Sequence, residues 1–331
     1  MAHQSARLGV TAVLCLGCTQ PLWGQGRASD TVQAYPSRPI RILAGFSAGS
    51  TVDIMARTVG QKLTDAWGQP VVVDNRPTAG GILASNIVAT AAPDGYTLLS
   101  VSAGHAVSAA LFTKLPYDTL KDFAGVTLFA TVPSILVVAP ASGLKSVKDL
   151  LALARSKPGA FNYSSPGIGS ANHLAGELFK NLAKIDVAHV PFKGIPEALT
   201  ASMQGSVLFN FSPIVNVLPL AKAGRVTALA TSTGKRAAAM PELPTVAEAG
   251  VPGYVFDPWF GLLTTARTPK PVLAKLNREV TRILGLPEVK ERLLALGAEP
   301  TPTTPEQTDA HVRSEVAKFT RIVQAAKIKV E

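Results

Sequence analysis

Apolar and polar positions along the chain alternate between two periods. Short apolar runs rich in β-branched residues predict strands at 39–44, 71–73, 97–101, 134–138, 161–163, 187–190, 207–211 and 227–231. Apolar residues at helical spacing predict helices at 52–66, 82–91, 147–155, 171–182, 196–204 and 215–223. This alternation of strands and helices favours an α/β fold with mostly parallel sheets.

The C-terminal part of the chain is predicted to be helical. Apolar residues between Val272 and Leu284 fall on one helix face, and Gly285 ends that helix. Thr304 and Gln307 belong to a capping box with Pro305 at the first helical position, which opens a last helix. We expect these helices to pack back on the first part of the chain.

The first thirty residues have the pattern of an export signal. Arg7 precedes an apolar run at 8–17 that is too short to span a bilayer, and small residues follow it. The signal peptide is predicted to end at residue 28, or as late as 34, which places the mature chain in the periplasm. A lipid anchor on Cys18 is an alternative, although Cys15 stands where a lipoprotein signal has leucine. A buried first helix is the other alternative.

Composition mainly excludes classes of protein. The two cysteines lie in the predicted signal, so the mature chain has none for disulfides, zinc ligation or thiol catalysis. The histidines lack metal-binding spacing, and no metal site is expected. The formal net charge of the 331 residues is +10, but the positive residues are scattered. Scattered charge argues against nucleic acid as a partner and suits the attraction of small anions.

One sequence pattern is typical of a catalytic site. Gly45 to Gly49 matches G-x-S-x-G between a strand and a helix, the nucleophile elbow of α/β-hydrolases, with Ser47 as the nucleophile. Asp257 and His311 follow in the required order. However, only one strand precedes Ser47, and His311 is expected on the exposed face of the last helix. A serine hydrolase is therefore kept as an alternative only.

The same turn can instead hold an anion. A helix N-terminus leaves backbone N–H groups unpaired at the positive end of the helix dipole, and anions bind there without a basic side chain. The small residues from Ser47 to Thr51 lead into such a helix. Asp53 lies in the first turn of this helix. Either it is a structural residue whose negative charge is stabilised by the helix dipole, or it accepts hydrogen bonds from a ligand.

Three later strands end in similar turns, at 100–104, 164–170 and 192–194. Gly167-Ile168-Gly169 begins a dinucleotide fingerprint, but Asn172 replaces its third glycine, so no cofactor is expected. Small polar turns at strand ends are where an open α/β sheet holds a ligand. His173 is expected to be structural, with a ring N–H near the turn as the alternative. Trp259 is expected to be either core or an apolar wall.

Six segments, taken in order, identify a family. They are Tyr-Pro-Ser-Arg-Pro-Ile at 35–40, Asp-Asn-Arg-Pro at 74–77, Pro-Asp-Gly-Tyr-Thr-Leu-Leu at 93–99, His-Val-Pro-Phe-Lys-Gly at 189–194, Leu-Pro-Thr-Val-Ala-Glu-Ala-Gly at 243–250 and Trp-Phe-Gly-Leu at 259–262. From residue 35 onward the chain resembles the Bug-type periplasmic substrate-binding proteins of tripartite tricarboxylate transporters.

The resemblance implies a type II periplasmic binding protein with two Venus-flytrap lobes joined by crossing strands. The first lobe is expected to hold 35–132 and 258–331, and the second 133–257. The implied function is non-catalytic: a monomeric receptor binds a small organic carboxylate in the interlobe cleft and delivers it to integral membrane permease subunits. A binding protein that serves signalling rather than uptake is the alternative.

Receptors of this kind hold the carboxylate with backbone amides, hydroxyls and ordered waters rather than an arginine clamp. The residues expected to bind it are Phe46, Ser47, Ala48, Ser50, Asp53 and Ser102 from the first lobe, and Ser164, Gly169, Ser170 and Lys193 from the second. The chain departs from the family pattern at Ala48-Gly49-Ser50, Thr78 and Leu208. A dicarboxylate, a tricarboxylate, an aromatic acid and an acidic amino acid all remain open as ligands.

Overall fold

The fold is described from a computed structural model, which covers Met1 and residues 35–325. By its internal contacts the chain divides into Met1–Tyr35 and Pro36–Glu331, and both sheets and all the helices named below belong to the second unit. The predicted export signal, with Cys15 and Cys18, lies outside the described residues. In the described part of the chain, no helix combines the length and apolar character that crossing a bilayer requires.

Two sheets form the framework of the molecule. The first contains β1 (Ile40–Ala44), β2 (Val71–Asn75), β3 (Thr97–Ser102), β4 (Phe123–Thr131), β10 (Trp259–Thr265) and β11 (Glu299–Pro300). The second contains β5 (Ser134–Val138), β6 (Phe161–Ser165), β7 (Val187–Pro191), β8 (Phe209–Pro213) and β9 (Thr227–Thr231).

Helices cover both sheets. In chain order they are α1 (Thr51–Trp67), α2 (Ile82–Ala89), α3 (Gly104–Leu111), α4 (Val147–Ser156), α5 (Ala171–Ala183), α6 (Ile195–Met203), α7 (Ile214–Lys222), α8 (Lys270–Leu284), α9 (Pro287–Ala295) and α10 (Pro305–Ala325). Short 3-10 turns occur at Ala79–Gly81 and Pro140–Ser142. Strands followed by covering helices are the α/β layering that the sequence predicts.

The two sheets repeat one arrangement. In the first, with order β11-β4-β10-β3-β1-β2, β1 runs parallel to β2 and β3, and β10 runs antiparallel to β3 and β4. In the second, with order β7-β6-β8-β5-β9, β6 runs parallel to β7 and β8, and β5 runs antiparallel to β8 and β9. Each sheet thus has three parallel strands whose carboxyl ends meet at one edge, beside an antiparallel strand.

The chain crosses between the sheets twice. β4 ends at Thr131 and β5 begins at Ser134, and the chain returns to the first sheet where β10 begins at Trp259. The N–H of Val132 donates to the carbonyl of Pro258 at 2.9 Å, which joins the two crossings side by side. The result is two lobes linked by crossing strands. The predicted lobe limits at 132/133 and 257/258 fall in these crossings, and that division remains our proposal.

The last helix ties the lobes together. α10 packs against α3 and β4 of the first lobe and against α5 of the second. Its start is the reciprocal capping box that the sequence predicts. Thr304 N–H donates to Gln307 Oε1 at 2.9 Å, and Gln307 N–H donates to Thr304 Oγ1 at 3.2 Å. The cap fixes where the helix begins, directly beside β4.

Several elements lie outside the sequence predictions. β4 and β10 are almost continuously buried, so they lack the alternation of apolar and polar residues that reveals a half-buried strand. The helix α3 begins directly after β3, within a run of small residues that reads equally well as a turn. α9 follows α8 after only two residues and merges with its pattern.

Candidate functional site

The turn after β1, at 45–50, is built around one buried carboxylate. Asp53 is 2% exposed and accepts Gly49 N–H at 2.9 Å, Arg57 Nε at 3.0 Å and Asn75 Nδ2 at 2.9 Å. Asn75 Nδ2 also donates to the carbonyl of Phe46 at 3.0 Å. Burial opposes ionisation, but these hydrogen bonds outweigh it and hold the pKa of Asp53 below its usual value. The carboxylate is therefore engaged inside the lobe, as the structural alternative predicted.

Ser50 begins α1 and makes a similar internal contact. Its side chain accepts the N–H of Asp53 at 3.3 Å, which is an N-cap bond. Ser47 and Ala48, by contrast, are exposed at the tip of the turn. Neither the Ser47 hydroxyl nor the Ala48 N–H bonds to another described residue. The tip therefore offers an exposed hydroxyl and an unpaired N–H at the start of a helix.

Phe46 lies where three first-lobe turns meet. A β-carbon built on Gly81 would lie 3.7 Å from its ring, and one built on Gly104 would lie 3.8 Å from it. A β-carbon on Gly45 would fall 2.5 Å from Gly81 Cα, so only glycine permits the turns after β1 and β2 to approach this closely. Ser102 Oγ accepts Gly104 N–H at 3.3 Å and shapes the start of α3.

The turn after β6, at 165–170, is also fixed from within. Ser170 caps α5 by accepting His173 N–H at 3.1 Å, and its own hydroxyl donates to Gly167 O at 2.7 Å. Gly167 and Gly169 have positive φ, 124° and 80°, which glycine adopts without strain. Ile168 is 46% exposed at the tip, and its N–H has no partner among the described residues. This turn and the turn at 45–50 have the same construction.

Ser164 does not open toward the tip of that turn. It is fully buried, donates to Ala198 O at 2.8 Å and accepts Asn210 Nδ2 at 2.9 Å. Lys193, in contrast, is exposed and has no ion pair with a described residue. Its turn is joined to the previous one because Phe192 N–H donates to Ser165 O at 2.9 Å.

The second lobe meets the first close to these turns. A β-carbon built on Gly169 would lie 3.5 Å from Leu111 Cδ1 and 3.8 Å from Phe112 Cε2, at the end of α3. Since α3 begins directly after Ser102, the turn at 165–170 lies against the helix that starts at the first-lobe site. The structure places seven of the ten predicted site residues at or next to the turns: Phe46, Ser47, Ala48, Ser102, Gly169, Ser170 and Lys193. The side chains of the other three, Ser50, Asp53 and Ser164, point into the protein.

The geometry does not support the hydrolase alternative. The prediction that His311 lies on the exposed face of α10 is wrong. Its ring packs edge-on against Trp259, with centroids 5.1 Å apart, and its Nε2 is buried without a hydrogen-bond partner. Trp259 is core, with no exposed surface, and its Nε1 donates to Glu315 at 3.2 Å. Asp257 lies beside this cluster, where burial raises its pKa.

Sequence reasoning missed the residues that support the turns. Asn75 and Arg57 brace the turn at 45–50. Ser165 and His189 brace the turn at 165–170, with Ser165 Oγ 2.7 Å from His189 Nε2. Asn75 and His189 lie within two of the six family segments, and this position was the sequence signal that could have identified them. In the described part of the chain, no group of three metal-ligating side chains converges.

Comparison with known proteins shows the family to which the chain belongs. A family model described as "Tripartite tricarboxylate transporter family receptor" matches residues 55–328. Protein BugT of Bordetella pertussis is 34% identical over 306 residues, covering 92% of this chain and 94% of BugT. The R. palustris protein Rpa4515, solved with adipate, is 34% identical with a TM-score of 0.83, covering 89% of this chain and 99% of that one. MatC from Rhodopseudomonas palustris, with bound malate, is 34% identical with a TM-score of 0.78, covering 87% and 100%.

Proposed function

The chain belongs to the receptor family of the tripartite tricarboxylate transporters, and on this basis we propose that it is a periplasmic receptor for a small organic carboxylate. Family membership makes it a solute-binding protein rather than an enzyme. The observation that carries the proposal is the near full-length match to two relatives solved with dicarboxylates, adipate and malate.

The chemistry of the turns supports a carboxylate as ligand. The N–H groups of Ala48 and Ile168 have no partner in the described part of the chain, and each lies in a turn that leads into a helix, where the helix dipole favours negative charge. Gly169 has no side chain to hinder approach to the backbone. Lys193 supplies an exposed positive charge, and the positive net charge, +8 without Arg7 and Arg27 of the predicted signal, attracts anions over a longer range.

Binding is proposed to close the two lobes. The first crossing is short, from Thr131 to Ser134, and the second is short because Phe256 N–H is still bonded to Ser232 O at 2.8 Å, three residues before β10 begins at Trp259. Hinges of this kind absorb a rotation in a few residues. A ligand that contacts turns of both lobes stabilises the closed state by its differential affinity for that state. The closed receptor then delivers its ligand to integral membrane permease subunits, with which it is proposed to work as a monomer.

A thermal-shift panel tests the proposal. The panel contains adipate, malate, citrate, benzoate and glutamate, with the amide of each acid as its matched control. A ligand at 100 times its Kd raises the free energy of unfolding by about 2.7 kcal/mol, which is a readily measured shift. We expect at least one acid to raise the melting temperature and its amide to leave it unchanged. No shift with any carboxylate would overturn the proposed function.

A further inference from the structure

Two histidine rings lie directly beneath the turn at 165–170, which we call the second-lobe turn. His173 is buried in the first turn of α5, and His189 lies half-buried on β7. Their ring centroids are 4.1 Å apart, with the planes inclined by 31°. The pair therefore belongs to the support of the turn.

Each ring holds one end of the second-lobe turn. His173 Nδ1 accepts the N–H of Gly169 at 3.4 Å. His189 Nε2 lies 2.7 Å from Ser165 Oγ, and that oxygen in turn contacts Gly167 O at 3.1 Å and Gly167 N at 3.2 Å. Through these bonds the two rings determine the path of the backbone between the end of β6 and the start of α5.

The position of the rings is set by the register of the sheet. Tyr163 on β6 is the cross-strand neighbour of both His189 on β7 and Phe209 on β8. The ring centroids of Phe209 and Tyr163 are 5.2 Å apart, and those of Tyr163 and His189 are 4.9 Å apart. His173 completes a column of four rings that runs from the core of the lobe to its turn. A shift of the turn would therefore have to disturb this column.

The hydrogen bond from Gly169 requires an uncharged His173 ring. Nδ1 of His173 accepts a hydrogen bond only when it carries no proton, and a protonated Nδ1 would oppose the Gly169 N–H, donor against donor. The Ser165 hydroxyl can donate to Gly167 O and accept from a neutral His189 that carries its proton on Nε2. Two imidazolium rings 4.1 Å apart would also repel each other.

The surroundings keep both rings neutral. Burial lowers the pKa of His173. On α5, the carboxylate of Glu177 raises this pKa, whereas the charge of Lys180 lowers it further. Burial, His173 and Lys180 lower the pKa of His189 to about 3. Tyr163, the other titratable group in contact with the pair, donates its hydroxyl to Glu177 at 2.7 Å and so shares that carboxylate.

We infer that His173 and His189 are positioning residues, which as a neutral pair hold the second-lobe turn in the shape that presents its unpaired N–H groups to the ligand. The inference rests on the proposed function. With Gly167 and Gly169 bonded to the supports beneath them, the N–H of Ile168 at the tip is left without a partner among the described residues. The histidines thus act through the backbone and not by contact with the carboxylate.

Calorimetric titrations with adipate and malate test the inference. His173→Leu removes the acceptor for Gly169 and is expected to weaken binding about 3- to 10-fold, the value of one neutral hydrogen bond. His173→Asn offers an oxygen near the position of Nδ1 but cannot be protonated, so its Kd should stay within about 2-fold of the wild-type value. His311→Gln, outside the turns, is the matched control and should leave Kd unchanged. Unchanged affinity in a folded His173→Leu protein would overturn the inference.

The pH dependence of wild-type binding provides a second test that needs no variant to fold. Because the pair stays neutral, Kd is expected to vary by less than about 2-fold between pH 8 and pH 5.5, once it is corrected for titration of the ligand with the ligand's own solution pKa values. A carboxylate held by a histidine cation would instead bind more tightly as the pH falls through 6.5, and that result would contradict the inference. If wild-type protein binds neither acid, the proposed function fails instead.

Discussion

The side chains of Asp53 and Ser170 are both bonded within the protein. Asp53 has four hydrogen bonds inside the first lobe, and Ser170 has its proton directed to Gly167 O. Both therefore shape the turns. Among the described residues of these turns, the groups open to a ligand include backbone N–H groups, the exposed hydroxyl of Ser47 and the side chain of Lys193, which agrees with anion binding at helix N-termini.

The role of Asp53 can be tested by removing its charge. Asp53→Asn leaves Arg57 without its carboxylate partner and weakens the bonds to Gly49 and Asn75. We expect the free energy of unfolding to fall by about 2 kcal/mol, as for hydrogen bonds to a charged group. Chemical denaturation measures the loss. Asp65→Asn, on the exposed face of the same helix, is the control and should change stability by less than about 0.5 kcal/mol. Equal effects of the two substitutions would show that Asp53 does not support the turn.

Substitution of Ser170 can distinguish a helix N-cap from a ligand contact. The sequence suggested that its hydroxyl donates to the ligand carboxylate, and that contact stays a prediction. The observed bonds are those of an N-cap, so Ser170→Ala should lower the free energy of unfolding by about 1 kcal/mol. Measured on the same sample by calorimetry, the Kd for adipate or malate should change by less than about 2-fold. A loss of affinity of about 5- to 30-fold would instead assign the hydroxyl to the ligand.

At the scale of elements, the support of the second-lobe turn extends into the packing of α5 on its sheet. Gly176 faces Tyr163, and a β-carbon there would fall 2.3 Å from the ring. Only glycine lets the helix lie this close to β6, and this closeness is what brings His173 onto His189.

Gly176→Ala is therefore expected to destabilise the protein, although alanine favours helices over glycine by about 1 kcal/mol. Crowding against Tyr163 should outweigh that preference and lower the free energy of unfolding by about 1–3 kcal/mol. Thermal denaturation shows directly whether the substitution stabilises or destabilises the protein. Combination with Tyr163→Val, which removes the ring, should recover part of the loss, because the two residues are in contact. Additive losses would mean that the ring is not what alanine meets.

The elements of the fold were largely predictable, whereas the direction of the polar side chains was not. Short continuous apolar runs such as β5, and helices with a clear period and a cap such as α10, follow from local sequence. β4 and β10 were not predicted because glycine and threonine interrupt their apolar residues, at Gly125 and Thr127 in β4 and at Gly261 and Thr264 in β10. The inward direction of the Ser164 hydroxyl could not be predicted for another reason. Its partners, Ala198 and Asn210, are more than thirty residues away in the sequence, so only the fold brings them to it.

For the molecule as a whole, buried histidines make stability depend on pH. Burial lowers the pKa of His105 from 6.5 to about 4, and of His189 to about 3. Since the unfolded chain binds protons to these residues below pH 6.5 and the folded chain does not, stability falls as the pH drops from 6.5 toward 4. His105 alone accounts for about 3 kcal/mol at pH 4.

Denaturant unfolding at pH 7 and pH 4.5 measures this dependence. His105→Gln should flatten it, because glutamine has no proton to gain. His105 Nδ1 lies 3.3 Å from Ser85 Oγ, and Nε2 has no hydrogen-bond partner among the described residues. The variant should therefore lose the Ser85 contact at both pH values, which lowers its stability throughout without restoring the pH dependence. Equal pH dependence in the variant and the wild type would show that His105 already titrates near its usual pKa in the folded protein.

The central claim is that turns from two lobes bind the charge of an organic carboxylate. Isothermal titration calorimetry of the wild-type protein with adipate and malate, each set against its amide, tests this claim most directly. The structure differs from a general apolar pocket because the groups offered to the ligand are N–H donors at helix starts. We therefore expect at least one acid to bind and its amide to bind at least about 10-fold more weakly, since hydrogen bonds to charged groups are the stronger ones. Equal binding of acid and amide, or binding of neither acid, would contradict the account.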